Sequence, residues 1–395
     1  MRQETLTIVA RVAEARPFTA LRAALQRIAA DSDSAPGGGA RPRVFAEPKL
    51  GIHFARIVLL EEPADSRHGS SIVFESNFDT ELEGAAEARD AHLELLSDVI
   101  LTPLHNVFRH CVGFSADASA AGLAEELAEH QVSASAAYQG HAERDLARIR
   151  LEQHLRDVLL DFFSQANKAL PRDLYHDARE HVRLRCATDP RLAGLNLDAP
   201  APPLPDAAIR SARLKAGFLA WVKNASSDLV AYTLSQLGNI IAWQRSDREY
   251  DQRARQEAWS AADFRAFGEI AETEDHALQN ALTHVVALKG PERLGVLRAA
   301  HGYIDVMARN HFNDIGQLGG IPTIHFAKWL LVDDDTRLLF LSNYDSSWES
   351  YLGDFVDRAA VGLNLAWSLT EQYPRTFLLA LKGASDEERF KAWSR

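Results

Sequence analysis

Along the chain the period of the hydrophobic positions changes in a recurring order. Residues 5–12 and 281–288 are rich in Thr, Val, Ile and Leu and short enough to be strands. Each is followed by an apolar stripe of helical spacing: Leu21, Leu25 and Ile28 within Pro17 to Ala30, and Leu294, Leu297, Ile304 and Met307 within Pro291 to Phe312. The proline at each start suits a first helical turn, where its missing N–H has no partner to lose. Segments 51–61 and 322–333 read as second strands, and 71–78 and 337–344 as third strands. The polar turns Glu62 to Gly69 and Asp333 to Thr336 make each pair a hairpin. Long helices then span about 84 to 111 and about 346 to 370.

The same order occurs twice because the sequence itself is duplicated. Gln3-x-x-Leu6-Thr7-x-Val9 returns as Gln279-x-x-Leu282-Thr283-x-Val285. Ile52-His53-Phe54-Ala55-Arg56 returns as Ile324-His325-Phe326-Ala327-Lys328, and Phe74-x-Ser76-Asn77-Phe78-Asp79 as Phe340-x-Ser342-Asn343-Tyr344-Asp345. Three anchors in one order, with similar gaps, define two copies of a single unit. In the first, a short helix at 117–130 leads to a closing strand at Gln131 to Tyr138. In the second, Phe377–Leu381 either serves as that strand or leaves the unit without one, and a helix from Ser385 to Trp393 follows. Helical patterns at 144–168, 207–244 and 251–268 and a stiff proline-rich stretch at 198–205 fill the region between. The resulting division is 1–140, 141–272 and 273–395.

Composition narrows the function classes. The 395 residues carry a formal charge of −12, which disfavours nucleic acid as a partner. Cys111 and Cys186 are far apart and in no metal-binding spacing, so the expected compartment is reducing. Residues 1–12 lack the pattern of a secretory signal, and a cytoplasmic location is expected. Leu229 to Trp243 is too short to span a bilayer, which leaves segment 207–244 as a candidate for peripheral membrane or protein contact.

Strand, helix, strand, strand, helix and closing strand is the ferredoxin-like order. Two such units paired through their sheets would form an intramolecular α+β barrel with a large helical insertion. On this duplication the chain resembles the dimeric α+β barrel superfamily, which includes dye-decolorising peroxidases, chlorite-dismutase-like heme proteins and cofactor-free monooxygenases. The peroxidases carry a Gly-x-x-Asp-Gly motif whose Asp works with an Arg above the heme; the nearest sequences here are Ser342-Asn-Tyr-Asp345-Ser and Ser76-Asn-Phe-Asp79-Thr. The resemblance implies a heme-binding oxidoreductase of peroxidase type acting on a small organic substrate. A cofactor-free binding protein or monooxygenase, and a scaffold that docks through its helical insertion, are the alternatives.

A heme iron requires a neutral imidazole on a rigid element, with a polar group and a cation opposite. His301 and His311 lie ten residues apart on one expected helix, about 80° off a common face. His284 stands where the first unit has Ile8. His53 and His325 are equivalent strand residues, expected on the face opposite their Ile and Phe neighbours. These five are the candidate heme-binding histidines, with His301 or His311 as iron ligand. Asp345, Asn343 and Lys328 are the candidate catalytic groups, with Arg309 and Arg337 as further cations. The competing reading makes Asp79 and Asp345 helix caps. In the cofactor-free alternative Asn77, Asn343, His53 and His325 line a cleft between the sheets. Trp348, Tyr351 and Phe355 are three to four residues apart on the last long helix and read as core.

Overall fold

The computed structural model describes residues 2–33 apart from 14 and 16, 41–141 apart from 65 and 118, 144–165, 171–197 apart from 193 and 194, 207–238 apart from 225 and 226, and 279–394. It is a mixed α+β protein with antiparallel sheets. In the N-terminal part β1 (Arg2–Arg11), α1 (Thr19–Ala30), β2 (Ile52–Leu60), β3 (Ser71–Thr80), α2 (Ala85–Val99), α3 (Leu101–Phe108), α4 (Ala120–Glu129) and β4 (Ala134–Gln139) follow one another. The insertion contributes α5 (Leu146–Gln165), α6 (Pro171–Thr188), α7 (Ala207–Asn224) and α8 (Ser227–Gly238). Then come β5 (Gln279–Ala287), α9 (Leu294–Met307), β6 (Ile324–Val332), β7 (Arg337–Asp345), α10 (Trp348–Trp367) and α11 (Glu387–Ser394).

The three repeated strands of each part pair in the same way, giving the orders β1-β3-β2 and β6-β7-β5. β4 does not complete the sheet of its own part. Segment 130–132 touches β1, where the Val9 N–H donates to the His130 carbonyl and the Val132 N–H to the Thr7 carbonyl. The chain then crosses over and pairs with β6, so the second sheet reads β4-β6-β7-β5. Among the described residues nothing comparable returns from the C-terminal part. Phe377–Leu381 forms one end of a two-residue hairpin, with Leu378 and Leu379 at positive φ, and joins neither main sheet.

Alternation along the strands sorts the side chains. Leu6, Ile8, Ile72, Phe74 and Phe78 pack against helices of the first part, as Trp329, Leu338, Phe340 and Tyr344 do in the second. The opposite faces meet each other: Val9, Leu60 and Val73 from one sheet pack with Val285, Leu330, Val332, Leu339 and Leu341 from the other. Trp348, Tyr351 and Phe355 are buried in the second core.

Both long helices expected from the sequence are broken at one place. α2 ends at Ile100, with φ −127° and ψ 36°, before α3 begins. α10 has Ala359 at φ −129° and ψ 20°. These two residues are equivalent, because Cys111 and Thr370 bridge the equivalent positions Val12 and Leu288. The break is thus part of the repeat. The Gly37–Gly39 loop, the proline-rich stretch 198–205, the helix expected at 251–268 and the end of the one expected at 207–244 lie outside the described residues. Among the described residues no helix is long and apolar enough to cross a membrane.

Candidate functional site

The repeated Ile-His-Phe motif does not follow simple strand alternation. Ile52 pairs with Phe78 and Phe54 with the adjacent Asn77; Ile324 and Phe326 likewise face Tyr344 and Asn343. His53 and His325 are therefore the extra residues of two equivalent bulges, which turn a side chain out of the regular pleat. Ile52 remains on the helix side, whereas Phe54 turns toward the other sheet, so the expected common face for Ile and Phe is corrected. Phe54 stacks on His325 at 5.5 Å and meets Phe326 at 5.6 Å, while His53 lies 6.0 Å from Phe326. The two bulges thus touch each other between the sheets.

Each bulge histidine is held by the aspartate of its own unit. His53 Nε2 is 2.7 Å from Asp79 Oδ1, and His325 Nε2 is 2.8 Å from Asp345 Oδ1. The aspartates do not cap the helices that follow their strands, since Gly84 and Ser347 occupy the cap positions of α2 and α10. The other oxygen of Asp79 accepts the Leu146 N–H at 2.7 Å, tying the start of α5 to the sheet.

The space between the sheets is filled by a charged network. Glu75, 1% exposed, has Arg56 Nε at 2.5 Å and Lys328 Nζ at 2.8 Å. The first contact is an ion pair without hydrogen-bond alignment. Arg56 Nη1 donates to the Leu282 carbonyl at 2.6 Å, and Nη2 to the Ser342 carbonyl at 2.8 Å and Asn343 Oδ1 at 3.0 Å. Lys328 Nζ also donates to the hydroxyls of Thr5 and Thr7. Burial works against the Glu75 carboxylate, but Arg56 and Lys328 outweigh it and hold its pKa below the ordinary range. Asn343 and Lys328 thus come together here, joined by Asn77; Asp345 stands at the end of the strand, paired with His325. Glu75 was not singled out from the sequence, because its repeat partner is Leu341. Lys328 also borders a polar pocket of about 300 Å³ shared with Arg2, Glu4, Arg89 and Arg309, beside the crossing of β4.

The remaining histidines are scattered. His301, 0% exposed, gives its Nε2–H to the Ala366 carbonyl at 3.1 Å and accepts from the Ser135 hydroxyl at 2.7 Å through Nδ1. Burial lowers its pKa to about 4. His284 packs edge-on against Trp393 at 4.9 Å, and burial lowers its pKa to about 4 as well. His311 lies beside Phe312 on the π-helical turn Ala308–Phe312 that extends α9. Arg309 pairs with Asp305 on that extension, and Arg337 with Glu62 and Asp333 at the far end of the sheets. Among the described residues no group of three His, Cys, Asp or Glu side chains could hold a metal ion.

A separate cavity of about 440 Å³ lies in the second part between α9, its π-helical turn and the kinked stretch of α10. Tyr303, Met307, Phe312, Trp329, Phe355 and Trp367 give it an apolar and aromatic wall, with Asp357 and Arg358 also on its lining. Its origin is legible in the repeat. Ile100 and Leu101 of the first part, of which Ile100 is buried in the core, correspond to Ala359 and Ala360, which line the cavity. Two large side chains are thus replaced by methyl groups at the cavity lining. From the insertion, Trp221 of α7 donates to the Ala299 carbonyl at 2.8 Å and packs on Tyr303, supporting the cavity wall from outside. Comparison with protein-family models, with curated proteins and with solved structures finds no match.

Proposed function

We propose that the chain consists of two tandem ferredoxin-like units and that the second binds a small aromatic molecule in the cavity beneath the kink of α10. One observation carries this reading: the cavity exists where the duplicated sequence exchanges Ile100 and Leu101 for Ala359 and Ala360. Its volume falls in the range of roughly 300–1,000 Å³ usual for small-molecule sites, and an apolar wall with few polar groups favours an aromatic ligand. The π-helical turn in its wall is a distortion that recurs at ligand sites. The test is titration with naphthalene and 1-naphthol, followed by tryptophan fluorescence. Saturable binding is expected in the unaltered chain, at least tenfold weaker after Ala360→Leu and unchanged after Leu101→Ala in the first unit. Absence of saturable binding, or equal affinity in Ala360→Leu, refutes the assignment.

A heme peroxidase is the second reading, favoured by the acid and the cation, Asp357 and Arg358, on the cavity lining. The available donors do not fit a heme there. None of the five candidate histidines lines the cavity, and both ring nitrogens of His301 are already engaged. Met307 is the soft donor among the lining residues. An absorption spectrum after heme addition separates the readings: a Soret band lost on His301→Ala, His311→Ala or His284→Ala supports the peroxidase, and a colourless protein that takes up naphthol supports the cofactor-free site.

A further inference from the structure

β2 and β6 are one element in two settings. Both carry Ile-His-Phe-Ala followed by a basic residue, both pair on one side with the third strand of their own unit, and both have the bulge at the same place. On its other side β6 carries β4, with Ala136 opposite Trp329, Ala137 opposite Lys328, Tyr138 opposite Ala327 and Gln139 opposite Phe326. Among the described residues β2 carries no strand on that side. The side chains register the difference: Trp329, Leu330 and Val332 are buried, whereas Ile57, Val58 and Leu60 in the same places are only half-buried.

Edges left open in folded proteins are commonly protected by lysine, proline, shortness or a covering element. From Phe54 to Leu60 the edge reads Phe-Ala-Arg-Ile-Val-Leu-Leu, and its single charge, Arg56, turns inward to Glu75. We propose that this edge of β2 is a strand-acceptor site for an extended peptide segment running antiparallel to it, in the place that β4 occupies on β6. The chemistry of that segment follows from β4. Ala137, opposite Lys328, is small and borders the polar pocket, so a small residue belongs opposite Arg56. Tyr138, opposite Ala327, is fully buried in the core on the helix side, so an aromatic residue belongs opposite Ala55. Backbone hydrogen bonds would supply most of the recognition, and the aromatic anchor the register.

The probe is a labelled peptide with the sequence of Gln131–Gly140, added to the full chain. Saturable binding is expected, with slowed amide hydrogen exchange within Phe54–Leu60. Peptides carrying Ala137→Pro or Tyr138→Ser should bind at least tenfold more weakly, and Ala360→Leu in the protein should leave binding unchanged, which separates this site from the cavity. No binding at millimolar peptide, or binding without protection of Phe54–Leu60, overturns the proposal. A dimer in sedimentation that is dissociated by Val58→Lys would also overturn it, since the edge would then be taken by a second copy.

Discussion

Replacing Glu75 by leucine, the residue that the second unit carries at the equivalent Leu341, should be among the most damaging single changes in the protein. The substitution is close in volume and adds no polar group, so its cost comes from the charges left behind. Arg56 and Lys328 would lose their shared carboxylate at 1% exposure, at contacts of 2.5 and 2.8 Å. Removing one member of a buried ion pair leaves an uncompensated charge and typically costs about 3–5 kcal/mol. Arg56 keeps the Leu282 and Ser342 carbonyls and the Asn343 amide oxygen, whereas Lys328 keeps only hydroxyls, so the loss falls mainly on Lys328. Pairing Glu75→Leu with Lys328→Met should therefore recover a large share of the stability. Urea unfolding followed by tryptophan fluorescence measures both variants. The pH dependence has a fixed sign. The folded-state pKa of Glu75 is lowered, so its contribution is complete above about 4.3, the unfolded value, and is lost as pH falls through the folded value. The difference between the unaltered chain and Glu75→Leu should persist at neutral pH and shrink only in acid. A loss below about 1 kcal/mol at pH 7, or a double variant no more stable than Glu75→Leu, would show that the network does not hold the sheets together.

Two further outcomes follow from the same geometry. Burial lowers the pKa of His92 to about 3 and that of His301 to about 4, so the unfolded chain takes up protons below about 6.5 that the folded chain refuses. Stability should be full above that value and fall toward pH 4 by about 1.4 kcal/mol per unit for each histidine. A urea midpoint that stays flat between pH 7.5 and 4.5 contradicts this, and His301→Gln should reduce the slope. Asp79→Asn should cost about 1–3 kcal/mol, because a carboxylate only 9% exposed there serves both His53 and the Leu146 N–H. Asp345→Asn should cost less than about 1 kcal/mol, since that side chain is 42% exposed. Equal losses in thermal or urea unfolding would contradict the asymmetry.

How far the sequence reveals this molecule depends on whether a feature repeats. The strands at 5–12, 51–61 and 71–78 and their later copies were legible because each copy confirms the other, and their pairing orders agree. The breaks at Ile100 and Ala359 were not, because the apolar stripe continues through both, although Pro103 and Gly362, each three residues further on, are residues that weaken a helix at such a place. The bulge at the Ile-His-Phe motif was hidden for a related reason: strand alternation assigns faces by counting, and one extra residue inverts the count. Among site residues, Asn343 and Lys328 could be picked out by repetition, but Glu75 could not. The partner of β4 was also out of reach, since nothing in Ala134–Gln139 distinguishes β1 as its neighbour from β6.

Duplication also explains where chemistry can depart from scaffold. Positions that match in the two units answer to the same packing demand, so the aspartate-held bulge histidines and the helix breaks recur with the same geometry. Positions that differ are released from that demand. The alanines that replace Ile100 and Leu101, Ala359 and Ala360, line the cavity of the second part. The exchange of glutamate for leucine between 75 and 341 leaves one carboxylate for two cations, Arg56 and Lys328. A symmetric pair of carboxylates would bury four charges between the sheets and raise the desolvation cost further. A symmetric pair of leucines would leave both cations without a carboxylate. With a single acid, the second cation must be satisfied by neutral oxygens, and Arg56 is the one equipped for it, because its planar fork reaches the Leu282 and Ser342 carbonyls and the Asn343 amide of the opposite sheet together. The repeat carries Lys328 in the matching place, whose compact ammonium sits against Glu75 and two threonine hydroxyls. The Arg and Lys of the two motifs are thus fitted to unequal halves of one network that joins the two sheets.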